Sequence, residues 1–228
     1  MDRFILIETS TTLCSVALAE DGRIVNQRSS ERDHAARTAP LIREMLVEQG
    51  WKTSDCSAVG VSMGPGSFTG LRVGVSTAKG LCFGAGIPLI AVGSLDTLVW
   101  QAKEEGLLPA GCTAVVPMID ARRMEVYTAV FSPEGKRLTD VEPKIIEAGA
   151  YADLLAEGPV LFIGDGAEKC REAIGHPGAY FAGCRPKASA MLSPVLQAFA
   201  AGRFEDTAYF EPFYLKDFVA TVSRKKLF

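Results

Sequence analysis

Histidine is nearly absent from this chain. Two of its 228 residues, His34 and His176, carry an imidazole. They are far apart in sequence and no H-E-x-x-H segment exists, so no local zinc-hydrolase cluster can be built. The six cysteines, at 14, 56, 82, 112, 170 and 184, form no C-x-x-C pair. Several sit inside apolar segments, and they read as small buried hydrophobes rather than disulfides or metal ligands. Basic charge is not in excess either. Twenty-four Lys and Arg against 27 Asp and Glu give a net charge of -3, which argues against an extensive direct nucleic-acid surface. The one basic cluster, "SRKKLF" at the end, reads as a solvated tail. Apolar runs are too often broken by glycine and polar residues to span a bilayer, and "MDRFILIETS" has no export-signal pattern. A cytoplasmic, membrane-free protein is expected.

What the chain does have is alternation of strands and helices. "FILI" is an apolar run, "ETSTT" a hydroxyl-rich turn, and "CSVALAEDGRIV" two strands joined at Asp21-Gly22. Leu41, Ile42, Met45 and Leu46 give one apolar face to a helix over about 35–49, with Pro40 tolerated only near its start. "SAVGVSM" and "PLIAVGS" read as buried strands and "LDTLVWQAKEEG" as a helix ending at Gly106. From about Thr113 the opening plan recurs: apolar run, single acid, polar turn, alternating strand, glycine turn. Glu8 precedes Gly22 by fourteen residues and Asp120 precedes Gly135 by fifteen. That near-repeat predicts two related α/β lobes, residues 1–110 and 111–228, each a mixed sheet flanked by helices. "GPVLFIGDGAEKCREAIG" reads as strand, glycine turn, helix. "SAMLSPVLQAFAAG" is a late helix with Ser189 as a cap, able to pack back on the first lobe.

The densest glycine stretch, "SMGPGSFTGLRVGVSTAKGLCFGAG", fits neither common phosphate loop. Gly64 and Gly70 are six apart but are followed by Leu71-Arg72 rather than Lys-Ser/Thr, so the Walker pattern fails. Gly64-x-Gly66 has three residues before the next glycine where the dinucleotide pattern needs two. Packing accounts for more of it. In a helix over about 70–83, Gly70, Gly74 and Ala78 fall four apart on one face, beside Val73, Thr77 and Leu81. Glycine within a helix costs up to ~1 kcal/mol relative to alanine, so something must approach that face closely. The pattern alone favours the protein's own sheet over another subunit.

"ILIETSTTLCSVALAEDG", the "H" and "PLI" of "DHAARTAPLIREML", "GPGSFTGLRVGVSTAKGL", "GIPLIAVGSLDTL" and "IDARRMEVY" together resemble the TsaB (YeaZ) family. The match is close over the first 127 residues and loose beyond. The resemblance implies the actin-like, sugar-kinase-like (ASKHA) fold. It also implies a non-catalytic partner subunit in threonylcarbamoyladenosine (t6A) formation at adenosine 37 of ANN-decoding tRNAs. Such a subunit pairs with a TsaD-type catalytic subunit and a TsaE-type ATPase, while TsaC supplies the threonylcarbamoyl-adenylate. The tRNA is met through the complex, and ATP or ADP and a metal belong to the complex rather than to this chain. The family's pairing helices map onto about 34–49 and 70–83, giving Thr38, Leu41, Ile42, Met45, Gly70, Val73, Gly74, Thr77, Ala78 and Leu81 as interface candidates. The resemblance therefore turns the small-residue strip toward a partner, which could also be a second copy of the chain.

The catalytic relative carries an H-x-x-x-H pair on the helix after "PLIAV". The corresponding positions here are Ser94 and Leu98, neither of which can replace an imidazole ligand. No catalytic residue and no metal ligand are assigned. Two other readings are weighed. An actin-like phosphotransferase would use the turn of Glu8, Thr9, Ser10, Thr11 and Thr12 with Asp120, and would place Gly164 and Gly166 of "GDGA" near a nucleotide. Glu8 is a methylene longer than the usual aspartate, "ARR" replaces the hydroxyls of the second turn, and Asp165 repels phosphate, so the isolated chain is expected to bind nucleotide poorly. A glycoprotease-like metallopeptidase is remote without its histidines.

Overall fold

The computed structural model describes residues 1–31 and 34–216, so the basic "SRKKLF" tail lies outside the described residues. The first strand explains why its sequence is apolar at successive positions. In β1 (Arg3–Glu8), Ile5 and Ile7 face one side while Phe4 and Leu6 face the other, and all four are fully buried. Side chains alternate along a strand, so an unbroken apolar run marks a strand covered on both faces.

Around it, β2 (Leu13–Glu20) and β3 (Arg23–Glu31) form an antiparallel meander, while β4 (Ala58–Gly64) and β5 (Leu89–Gly93) add in parallel, giving the order β3-β2-β1-β4-β5. The β2–β3 turn has φ +47° at Asp21 and +77° at Gly22, the conformation that makes an Asp-Gly hairpin favourable. One face of this sheet is covered by α1 (His34–Gln49) and α2 (Phe68–Ala85). Pro40 lies well inside α1, past the first turn where the sequence reading confined it. α2 starts at Phe68 because the Ser67 hydroxyl accepts the Gly70 N–H at 3.2 Å, and stops where Gly86 turns left-handed at φ +67°.

The second sheet repeats the plan. β6 (Ala114–Asp120), β7 (Glu125–Thr128) and β8 (Glu142–Ile145) form a meander, and β9 (Val160–Ile163) and β10 (Ala179–Ala182) add in parallel. Its order, β10-β9-β6-β7-β8, is the first sheet's order read from the other end with each strand replaced by its counterpart. The single acids Glu8 and Asp120 end the two equivalent central strands. Short helices α4 (Ala152–Ala156) and α5 (Arg171–Ile174) lie beside this sheet.

Two helices tie the lobes together. α3 (Ser94–Glu104) follows β5, yet Leu95, Leu98, Val99 and Ala102 pack with Val115, Ile119, Leu161 and Ile163 of the second sheet. α6 (Leu192–Ala200) returns to the first sheet, where Val195 and Leu192 join Phe4, Leu6 and Ala17. Gly60 makes room for it: a methyl there would lie 2.6 Å from a Val195 methyl. Ser189 does not cap this helix. It lies in a tight turn (Ala188–Met191) that runs into α6 with Met191 at the N-cap in helical conformation, leaving no extended residue whose hydroxyl could fold back.

Candidate functional site

The ends of β1 and β6 face each other across a cleft between the lobes. Its cavity, about 550 Å³, has Ser10, Thr11 and Thr12 on the first-lobe side with Gly66, Ser67 and the first turn of α2. Across it stand Asp120, Arg122, Tyr127 and Asp165. The predicted residues Ser10 and Thr11 thus meet the second-lobe turn that carries "GDGA". Thr9, Gly164 and Gly166 are placed differently. Thr9 is fully buried beneath α2, Gly164 (φ +129°) is pressed on the Met118 carbonyl, and Gly166 lies against Ile119 and Asp120. These glycines serve close packing of the β9 turn on β6, while Asp165 reaches the cavity.

Charges in the cleft are mostly paired. The Asp165 carboxylate accepts the Asp120 N–H at 3.0 Å, and burial raises its proton affinity above the ordinary aspartate value. Asp120 pairs with Lys169 and accepts the Arg122 N–H at 2.8 Å; Arg122 and Arg123 hold left-handed backbones, φ +74° and +49°. Glu8 is not part of this surface. It is fully buried, its Oε1 accepts the Ser10 N–H at 2.7 Å, and its Oε2 has no partner. Burial pushes its pKa up to about 7, with the Ser10 and Ser62 hydroxyls acting in the opposite sense. A carboxyl held this way is not presented to a metal in the cleft.

One wall of the cavity comes from residues the sequence reading did not single out: Phe213, Tyr214, Leu215 and Lys216. The Tyr214 ring lies 4.9 Å from that of Phe68, and Lys216 pairs with Glu125. The available signal was the aromatic density of "YFEPFYLK", unusual in a polar segment after α6.

The small-residue strip of α2 resolves into two faces. Gly70, Gly74 and Ala78 are buried with Leu71, Val75 and Cys82, and Gly70 and Gly74 lie directly on Thr9. On α1, Thr38, Leu41, Ile42 and Met45 are buried as well, and Thr38 donates to the His34 carbonyl at 2.7 Å and touches Cys14 Sγ at 3.3 Å. These seven expected interface residues therefore face the protein's own sheet; only Val73, Thr77 and Leu81 keep part of their surface open. The bulky apolar residues of α2 already marked its inner side, and Gly70 and Gly74 share it. A second strip, Ser76, Gly80 and Gly84, faces outward with nothing within 4 Å of a methyl added at either glycine. Beside it Phe83 is 87 % exposed, and on α1 Val47 is 72 % exposed. Ala39, Arg43, Val47 and Leu81 line a shallow groove between the two helices.

Ser94 and Leu98, the positions that the resemblance sets against a histidine pair, are both buried. Leu98 belongs to the core between α3 and the second sheet and packs beside Gly164. Among the described residues no helix is long and apolar enough to cross a membrane.

The family model described as TsaD, tRNA N6-adenosine threonylcarbamoyltransferase, matches residues 22–220. The chain is 32 % identical to the Escherichia coli tRNA threonylcarbamoyladenosine biosynthesis protein TsaB, over 96 % of each chain. It is also 32 % identical to the Bacillus subtilis protein of that name, over 69 % of each. The structure of YeaZ from Pseudomonas aeruginosa superposes with a TM-score of 0.81 at 30 % identity, covering 94 % of this chain and all of that one. An Arthrobacter polyphosphate/ATP-glucomannokinase superposes at 0.50 with 12 % identity, a likeness of fold alone that places the two lobes in the sugar-kinase-like, actin-like group. At 32 % identity over 96 % of the Escherichia coli protein, and with the YeaZ fold along nearly its whole length, the chain belongs to the TsaB (YeaZ) family.

Proposed function

We propose that this chain is a non-catalytic partner subunit in tRNA threonylcarbamoyladenosine biosynthesis, needed for threonylcarbamoyl transfer to N6 of adenosine 37 by a TsaD-type subunit. The observation that carries this reading is likeness to the Escherichia coli TsaB protein along the whole chain. The outer face of α1 and α2 supports pairing. Gly80 and Gly84 let a facing helix approach closely, and Phe83 and Val47 supply exposed apolar surface beside them. The TsaD-type subunit occupies this face in the complex, with a second copy of the chain as its competitor when free. A TsaE-type ATPase joins the assembled pair. This reading leaves ATP and metal chemistry to the partners, and the burial of Glu8 away from the cleft supports it.

Leave-one-out reconstitution tests the proposal. Unmodified tRNA is incubated with TsaC, TsaD and TsaE, with and without this protein, and threonylcarbamoyladenosine is measured. Product only in its presence, with none from it alone, is expected. Undiminished product without it would overturn the role.

A further inference from the structure

After α6 the described chain crosses the first lobe and reaches the cleft by Lys216. The Glu205 N–H donates to the Leu89 carbonyl on the edge strand β5 at 2.9 Å. Lys79 on α2 then donates to the Ala208 and Phe210 carbonyls at 3.1 and 3.0 Å. Phe213 N–H donates to the Met63 carbonyl at 2.7 Å, and its own carbonyl lies where a side chain on Gly64 would have to be, 2.8 Å from a methyl placed there. Tyr214 packs on Phe68, still on the first lobe. Among the described residues of this segment, Lys216 reaches across: it pairs with Glu125 and lies 5.9 Å from the Tyr127 ring centre.

We infer that residues 203–216 are a strap built into the fold, anchored along the first lobe and latched to the second by Lys216, which holds the interlobe cleft closed in the free chain. The distribution of contacts gives the mechanism. Backbone hydrogen bonds and a ring contact fix the strap to β5, α2 and β4. Among the described residues the strap's tie to the second lobe is one ion pair, whose side chains are 40 % and 24 % exposed. Such pairs are weak and screened by salt, so the latch yields first and the strap leaves with the first lobe. On the Lys216 side the cleft then widens without breaking either sheet, while Arg185 keeps its ion pair with Glu31 and its hydrogen bond to Thr12 across the lobes. This reading stands independently of the partner role.

Amide hydrogen exchange by mass spectrometry on the full chain tests it, comparing the wild type with Lys216→Glu, Glu125→Lys, the double exchange of charges, and Tyr214→Ala. Peptides spanning 119–123 and 213–216 report the cleft, and peptides from β1 and β4 report the core. Each single charge reversal is expected to speed cleft exchange about threefold, and the double variant to return it to the wild-type rate. Tyr214→Ala is expected to speed exchange in 213–216 about tenfold, since ring packing contributes more than the exposed pair. Core peptides keep their rates. Wild-type cleft exchange in all the variants would overturn the latch, and so would equal acceleration of the core peptides, which would make these residues determinants of global stability instead.

Discussion

Gly70 lies against the carbonyl oxygen of Thr9, so near that a methyl on its α-carbon would fall well inside contact distance of that backbone atom. One turn on, a methyl at Gly74 would meet the Thr9 hydroxyl, a group that can rotate and has no hydrogen-bond partner to lose. Gly70→Ala is therefore expected to destabilise the isolated chain by roughly 1 to 3 kcal/mol through overpacking, and Gly74→Ala by distinctly less. Alanine's better helix propensity offsets at most ~1 kcal/mol of either. Denaturant unfolding of the two variants checks the order; equal stabilities would mean that α2 rides higher on the sheet than these contacts require.

Much of this was legible in sequence because it rests on local periodicity. The apolar run of β1, the Asp21-Gly22 hairpin, the apolar face of α1 and the Glu8/Asp120 near-repeat all appear in the structure where patterning put them. The choice between the two small-residue faces of α2 was harder, because glycine is small whichever way it points. What decides it is the company of Leu71, Val75 and Cys82, which draw Gly70 and Gly74 inward. The strap was invisible for a different reason: its partners, Leu89, Lys79, Met63 and Glu125, are distant in sequence and no periodicity couples them.

Gly80 separates stability from pairing. Nothing lies within 4 Å of a methyl added there, and the position is exposed in mid-helix. Gly80→Ala is expected to raise the stability of the free chain by up to ~1 kcal/mol. Gly80→Leu is expected to leave the free chain folded and to abolish pairing with a TsaD-type subunit, read by size-exclusion chromatography of the mixture. Unimpaired pairing of the leucine variant would move the interface elsewhere. Gly74→Leu cannot make this distinction, because Gly74 packs on Thr9 inside the chain.

Leu98 tests how far the packing of α3 on the second sheet depends on one side chain. Its side chain is fully buried between α3 and the second sheet. Leu98→Ala is expected to cost about 2 to 5 kcal/mol, the range for emptying a packed leucine site. Chemical unfolding measures it. A loss under ~1 kcal/mol would show that the lobes collapse onto the vacancy and do not depend on this side chain.

Glu8 makes stability fall with pH. Its carboxyl titrates near 7 in the folded chain because burial disfavours the charged form, against a reference value of 4.5. Below about 4.5 the group is protonated in both states and carries no penalty. Between 4.5 and 7 the unfolded chain ionises while the folded chain keeps its proton, so stability declines as pH rises. Above 7 the folded carboxyl is ionised in a buried site and the penalty is complete, roughly 3 kcal/mol for a shift of this size. Glutamine can still accept the Ser10 N–H through its amide oxygen and carries no charge. Glu8→Gln is therefore expected to match the wild type near pH 4.5 and to exceed it by roughly 2 to 3 kcal/mol at pH 8.5. Other titrating groups are common to both proteins and cancel in the difference. Urea unfolding of both proteins at the two pH values decides the matter: a stability difference independent of pH would mean that Glu8 is ionised throughout, with its charge satisfied inside the fold.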